Sequence, residues 1–272
     1  MTEEIIDSSE RKLYNWRELW RYRELFYFFT WRDVKLRYKQ TVLGFAWALL
    51  QPLATMTIIV LTFGRAVKIP PQSVSYPVFV LSGLVIWNFF ATGLTGASQG
   101  MVTNAPIINK IYFPRLVIPV AAVLVSLFDF VIALTLLIIV LVWQQSPVDI
   151  NALYYWPAAM ISVIVATMGL GCGFSALNIK YRDIRYVIPF MIQLLFFLTP
   201  VIYPISMINY PVMKYILAMS PSYAPVELFR IPLTGVMPDM TLVSMSLCSA
   251  VVFLVAGILY FRNTEDYFAD YA

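Results

Sequence analysis

The sequence contains no histidine and only two cysteines, and barely one residue in eight is charged. Without histidine, the chain lacks the commonest general base near neutral pH and the commonest metal ligand. Cys172 and Cys248 both sit inside apolar runs, so a disulfide is not expected and they read as small packing residues. No G-x-x-x-x-G-K-[ST] loop occurs, and Gly169, Gly171 and Gly173 lie within an apolar stretch with no Lys-Ser/Thr behind them. No nucleophile–base–acid set and no cluster with metal-ligand spacing can be found. These absences argue against an enzyme and a nucleotide site, so any ATP-driven work falls to a separate polypeptide carrying ATP and magnesium.

What is present is apolar. Of 272 residues, 60% are apolar or aromatic and 12% are charged, whereas soluble domains average about 45–50% and about 25%. A chain of this composition cannot cover itself with polar surface in water, but in lipid it has no need to. A single all-α membrane domain over 1–272 is expected. A helical span needs about 20 apolar residues, and six candidates occur: Phe45–Phe63, Pro77–Met101, Leu116–Trp143, Tyr154–Leu177, Tyr186–Tyr203 and Leu242–Phe261. The second is apolar in its first half and small in its second, where Gly93, Gly96 and Gly100 suit close helix packing.

Lys and Arg positions give the orientation. Fifteen fall before the first span, in the second-to-third and fourth-to-fifth connections, and in the tail; four fall on the other side, namely Arg65, Lys68, Lys214 and Arg230. The positive-inside bias places both termini in the cytoplasm. The basic balance is therefore topological and gives no sign of nucleic acid. The first 44 residues show no short apolar core with a small-residue cleavage site, so no cleavable signal is expected.

Residues 1–43 read as a cytoplasmic interface segment. Leu19, Tyr22, Phe26 and Phe29 recur at helical spacing with Arg17, Arg21 and Arg32 elsewhere, the pattern of a helix lying along a membrane surface. A second stripe, Trp31, Val34 and Tyr38, follows. Between the fifth and sixth spans, about 207–240, five prolines interrupt a segment still rich in Met, Tyr, Ile and Leu. Short re-entrant helices packed on protein are expected there. Residues 263–272 form the tail. Asp129 is the one carboxylate expected deep in a span, where an acid is costly. The favoured reading is a hydrogen bond or ion pair that locks two helices, since no other ionisable group is expected at that depth. The turn from Asn178 to Arg185 is short and charged; Arg182 and Asp183 would project from a short helix parallel to the membrane, which suits a groove on a soluble partner or a simple topology-setting loop.

Several stretches together resemble one family. Arg32–Pro52, Asn109–Arg115, Asn178 with Arg182-Asp183-Ile184, Thr199–Pro204, and Ser220-Pro-Ser-Tyr with Phe229-Arg230 follow in the same order as in the membrane subunits of ABC exporters for bacterial surface polysaccharides. Those exporters serve O-antigen, teichoic acid and capsule. Many members carry Asn where this chain has Ser220. The resemblance implies a permease subunit in the bacterial inner membrane, a homodimer with two copies of a cytoplasmic ATPase, and a substrate glycan on undecaprenyl pyrophosphate. It implies ATPase coupling by Lys180, Arg182, Asp183 and Arg185. Cations suited to a pyrophosphate are Arg37 and Lys39, then Lys110 and Arg115. Aromatic faces on which sugars could slide are Trp47, Trp87, Phe89, Phe90, Phe196, Phe197 and Tyr203. A permease for a small hydrophobic compound or lipid shares the six spans and the ATPase. An ion-coupled secondary transporter would need more intramembrane charge than Asp129.

Overall fold

A computed structural model of the chain describes residues 16–39, 44–64, 74–108, 110–181 and 183–265. Among these every regular element is helical: α1 (Trp16–Arg21), α2 (Arg23–Lys39), α3 (Gly44–Phe63), α4 (Tyr76–Thr103), α5 (Ala105–Ile108), α6 (Val117–Trp143), α7 (Ala152–Lys180), α8 (Ile184–Leu198), a 3-10 turn (Ile205–Met207), α9 (Pro211–Ala218), α10 (Tyr223–Thr234) and α11 (Met240–Glu265). Five of them, α3, α4, α6, α7 and α11, are long and apolar enough to cross a membrane. That bears out the all-α membrane fold.

The sixth expected span takes another form. α8 has 15 residues, a rise of about 22 Å against about 30 Å of hydrocarbon. It stops because Pro200 has no N–H to give and drives Thr199 out of the helical region, to φ −85° and ψ 132°. Non-helical residues carry the chain onward to the first turn of α4, where Tyr76 Oη donates to the Ile202 carbonyl at 3.1 Å. At the other end, Asn178 just before the α7–α8 turn binds the Ser98 carbonyl near the foot of α4. The two flanks of α8 thus sit at opposite ends of α4.

α4 is the central element. Its first half is apolar all round, as a helix enclosed on every side must be, and it is buried along almost its whole length. α6, α7, α3, α10 and α8 all pack on it. Ser75 precedes it, Pro77 sits in its first turn, and Ser75 Oγ meets Gln144 at the end of α6. The glycines of its second half do what close packing predicts. A Cβ on Gly93 would meet Thr167 and Ser126, one on Gly96 would meet Ala122, and one on Gly100 would meet Ile118. The glycines of α7 serve the same end, facing α11 at Gly169 and Gly173 and Ala97 at Gly171.

The bundle has two ends, named here for α4: the Tyr76 end and the Thr103 end. The proline-rich segment folds back into the bundle at the Tyr76 end. Every residue of α10 except Glu227 is buried, against α7, α4 and α11. Gly235, at φ +65°, closes the helix in the left-handed conformation. Phe229 of α10 lies 6.5 Å from Phe130, far down α6. A second, smaller core lies at the Thr103 end, where Leu19 and Phe29 join Met101, Phe113, Val117, Ala176 and Phe261.

That second core shows what the amphipathic stripe of the N-terminal segment packs on. The Leu19–Phe29 stripe docks on the bundle itself, while Trp20, Tyr27 and Phe28 on other faces are left exposed. Cys172 is buried and Cys248 exposed, both free.

Candidate functional site

Three places carry polar or aromatic groups that the bundle does not need merely to close. The first is the turn between α7 and α8. α7 continues to Lys180, Tyr181 is extended at φ −129°, and α8 begins at Ile184. The expected separate helix parallel to the membrane is absent from the described residues: the connection is a turn, held by Tyr181 N–H on the Leu177 carbonyl at 2.8 Å and Tyr186 N–H on the Asp183 carbonyl at 3.0 Å. Arg182 lies outside the described residues. Lys180, Asp183 and Arg185 are exposed. Lys180 rests over Tyr181 and Arg185 over Tyr186, at 5.3 and 4.8 Å. The described residues of the turn therefore present charge and rings together to the outside. The base of the turn is fixed by Asn178, whose buried amide donates to the Ser98 carbonyl at 2.9 Å. Asn178→Leu is expected to destabilise the chain by about 1–3 kcal/mol, because it leaves that bond unmade, and thermal unfolding in detergent reads this directly.

The second place is the end of α2. Arg32 Nη2 donates to Asn104 Oδ1 at 2.7 Å and Nε to Asp33 at 2.8 Å, which pins α2 to the foot of α4. Phe29 stacks near Phe113 at 5.6 Å. From there α2 slants along α6 until Arg37 and Tyr38 both reach Asp129. The helix-locking reading of Asp129 is thus borne out, and the expectation that no other ionisable group shares its depth is corrected by Arg37. Lys39 is exposed one turn-end further on, and Lys110 is exposed at the Thr103 end. Arg115 stands apart from both, tied through its backbone and side chain to Glu265 at the end of α11. Of the four cations suited to a pyrophosphate, Arg37 and Lys39 share the last turn of α2, where two residues of separation turn them to different faces.

The third place is aromatic. Trp87, Phe196 and Phe197 form a ladder, with ring centroids 5.3 and 5.6 Å apart, and Tyr203 Oη donates to the Phe197 carbonyl at 2.9 Å. Phe196 and Tyr203 are half-buried and Phe197 is 58% exposed. Trp47, on α3, is equally exposed. Trp87, Phe89 and Phe90 are all buried in the core, so none of the three offers a free face to a sugar chain. Phe90 lies under Trp87 at 5.4 Å. Phe89 belongs to a structural chain through Phe130 and Phe229 to Trp156. Hydropathy could not separate these neighbours, because two adjacent phenylalanines on a helix enclosed all round both turn inward.

One residue was expected in the re-entrant segment, as part of the Phe229-Arg230 pair, with no partner assigned to it. Arg230 is buried on α10, donating to the carbonyls of Pro200 at 2.5 Å, Val201 at 2.6 Å and Phe79 at 3.2 Å. Its guanidinium lies 3.7 Å above the Phe79 ring. It ties α10 to the end of α8 and the start of α4. A hydroxyl network completes the junction: Thr199 meets Ser222 at 2.6 Å, Ser222 meets Ser220 at 2.8 Å, and Ser246 of α11 donates to the Ser220 carbonyl at 2.7 Å.

Comparison with known proteins bears out the resemblance seen in the motifs. The model of the ABC-2 type transporter family matches residues 24–234. An O-antigen export system permease protein of Myxococcus xanthus is 29% identical over 263 residues, spanning 93% of this chain and 97% of that protein. One from Klebsiella pneumoniae is 27% identical over 240 residues, 88% of this chain and 91% of its own. A polysialic acid transport protein of Escherichia coli is 25% identical over 246 residues, 86% and 91% of the two chains.

Proposed function

The chain belongs to the ABC-2 type transporter family, and from that premise we propose that it is the permease subunit of an ATP-driven exporter for an undecaprenyl-pyrophosphate-linked polysaccharide, of O-antigen type. The observation that carries this reading is similarity to O-antigen export permeases along almost the full length of both chains. A capsule-type relative at similar coverage supports the same class of cargo. ATP and magnesium belong to a separate cytoplasmic ATPase.

In this reading the protein sits in the inner membrane with the Thr103 end and both termini in the cytoplasm. Two copies pair around a pore, each with one ATPase. The α7–α8 turn is the docking point: Lys180, Arg182, Asp183 and Arg185 offer charge of both signs beside two exposed tyrosines. Charged and aromatic groups of this kind anchor protein interfaces. A push on the turn passes directly into α8, and from its far end into α10 through Arg230 and the hydroxyl network. The exposed rings of Trp47 and Phe197, with Phe196 and Tyr203 beside them, would offer stacking faces to a passing sugar chain.

The test is co-purification with the candidate ATPase. Asp183→Ala and Arg182→Ala are expected to lower retention of the ATPase by about tenfold or more, the effect of losing one interface anchor, and to deplete surface glycan. Normal retention and normal surface glycan in both variants would remove the turn from the interface.

A further inference from the structure

Arg37 and Asp129 stand far apart in sequence and meet inside the bundle. Asp129 lies twelve residues past Val117, about 18 Å along α6. The whole of α6 has 27 residues, so at about 40 Å it overreaches the roughly 30 Å hydrocarbon layer by a few ångströms at each end. With α6 centred on that layer, the pair would fall in the apolar interior, where charges are costly and by default functional.

The two partners are held unequally. Asp129 is the better enclosed, its side chain 19% exposed, and both its oxygens are engaged: one by Arg37, the other by the Tyr38 hydroxyl. The Arg37 side chain is 42% exposed. It uses Nη1 on Asp129, and a guanidinium has five donors in a planar fork. Part of the fork is thus taken by a carboxylate, while the side chain keeps an exposed surface. If Arg37 were drawn away, Tyr38 would still hold Asp129, so the carboxylate would not be stranded without a donor.

An anion moved through hydrocarbon needs a cation along its way, but a permanently bare arginine at this depth would be as costly as the anion. A carboxylate that holds the arginine until the anion arrives solves both. A diphosphate outbids it, since it carries more charge and more acceptor oxygens for the same fork. We propose that Asp129 is a displaceable placeholder for Arg37, which it surrenders to the diphosphate of a lipid on its way across the membrane. This rests on the exporter reading for the identity of the lipid; a phospholipid phosphate would offer related chemistry from another source.

The test uses the full chain in nanodiscs of phosphatidylcholine, with and without phosphatidylglycerol, and labelled undecaprenyl pyrophosphate as the probe. Arg37→Gln is expected to weaken binding by about tenfold or more, and Asp129→Asn to tighten it several-fold by freeing the fork, the scale of one charge-assisted hydrogen bond. The double variant Arg37→Gln with Asp129→Asn keeps a neutral hydrogen-bonded pair. It is expected to elute as a folded chain yet bind as weakly as Arg37→Gln. Wild-type affinity in the double variant would mean that the pair only locks helices, and would overturn the proposal. So would an Asp129→Asn variant no tighter than wild type. If phosphatidylglycerol competes on equal terms with the probe, bulk phospholipid is the ligand and the lipid-diphosphate assignment falls. If the wild-type chain binds no undecaprenyl pyrophosphate saturably, the exporter substrate itself falls, an outcome distinct from binding that ignores both substitutions.

Discussion

Arg230→Met is expected to cost about 3–5 kcal/mol of stability, the range for removing one member of a buried charged cluster. The reasoning is local. Pro200 and Val201 follow the end of α8, and Arg230 supplies donors to their carbonyls. Each carbonyl left bare in a buried place costs about 1–3 kcal/mol. Phe79 suffers less, because its carbonyl also takes the Ser82 hydroxyl. Glu227 Oε1, 3.7 Å from the guanidinium, loses its nearest cation. Arg230→Lys keeps the charge but not the fork, and one ammonium cannot serve carbonyls on α4 and the α8 tail together; its loss should fall between wild type and methionine.

Gly83 supplies an independent check. A Cβ there would stand 2.4 Å from Arg230 Nη2 and 3.1 Å from the Val201 carbonyl oxygen. Gly83→Ala should therefore expel the same guanidinium and reproduce much of the methionine phenotype. The double variant should be clearly less destabilised than the sum of the singles, since both break one junction. Thermal unfolding in detergent gives the energies, and limited proteolysis at the Tyr76 end shows where the chain loosens. An Arg230→Met chain that melts with wild type would remove the latch.

Much of this architecture was legible because lipid imposes one requirement that sequence displays openly: some twenty apolar residues without a break. Five such runs became long helices. The proline-rich segment was also legible, since its prolines forbid one long helix while its Met, Tyr and Leu forbid a solvated loop. What sequence hid were choices of partner. The Leu19–Phe29 stripe would satisfy either lipid or protein, and only the second core shows that protein takes it. Arg230 was placed in the re-entrant segment, but its partners, the carbonyls of Pro200, Val201 and Phe79, lie 29 to 151 positions away and leave no local pattern. Arg37 met Asp129 across 92 positions, a separation at which no periodicity operates. Phe196 and Phe197 lie on a helix enclosed on one side only, which leaves ring surface accessible, whereas Phe89 and Phe90 lie on α4, which has no open side.

Gly257→Ala should be the most damaging single methyl in the described chain. Its Cβ would fall 2.0 Å from the Gly169 carbonyl oxygen, and a Cβ on Gly169 would fall 2.5 Å from the Leu254 backbone nitrogen and 2.7 Å from its Cα. These are main-chain atoms, so no rotamer can yield; the two helices must separate. Separation is especially costly here. Between apolar helices in lipid there is no hydrophobic drive to associate, and close contact itself supplies the attraction. α11 turns an exposed face outward at Val251, Val252 and Val255, and α7 is its principal neighbour. Overpacking typically costs about 1–3 kcal/mol, and an immovable backbone puts Gly257→Ala at or above the top of that range. Gly96→Ala is the matched control. Its Cβ would meet the Ala122 side chain at an ordinary 3.4 Å, so the change should stay within about 0.5 kcal/mol of wild type. Gly171→Ala, 2.8 Å from the Ala97 methyl, should fall between, because a small shift of α4 relieves it. The order Gly96, Gly171, Gly257 in unfolding temperature tests whether backbone approach sets the strength of the α7–α11 seam; three equal losses would show that any methyl on these faces is tolerated alike and that the seam is held by something else.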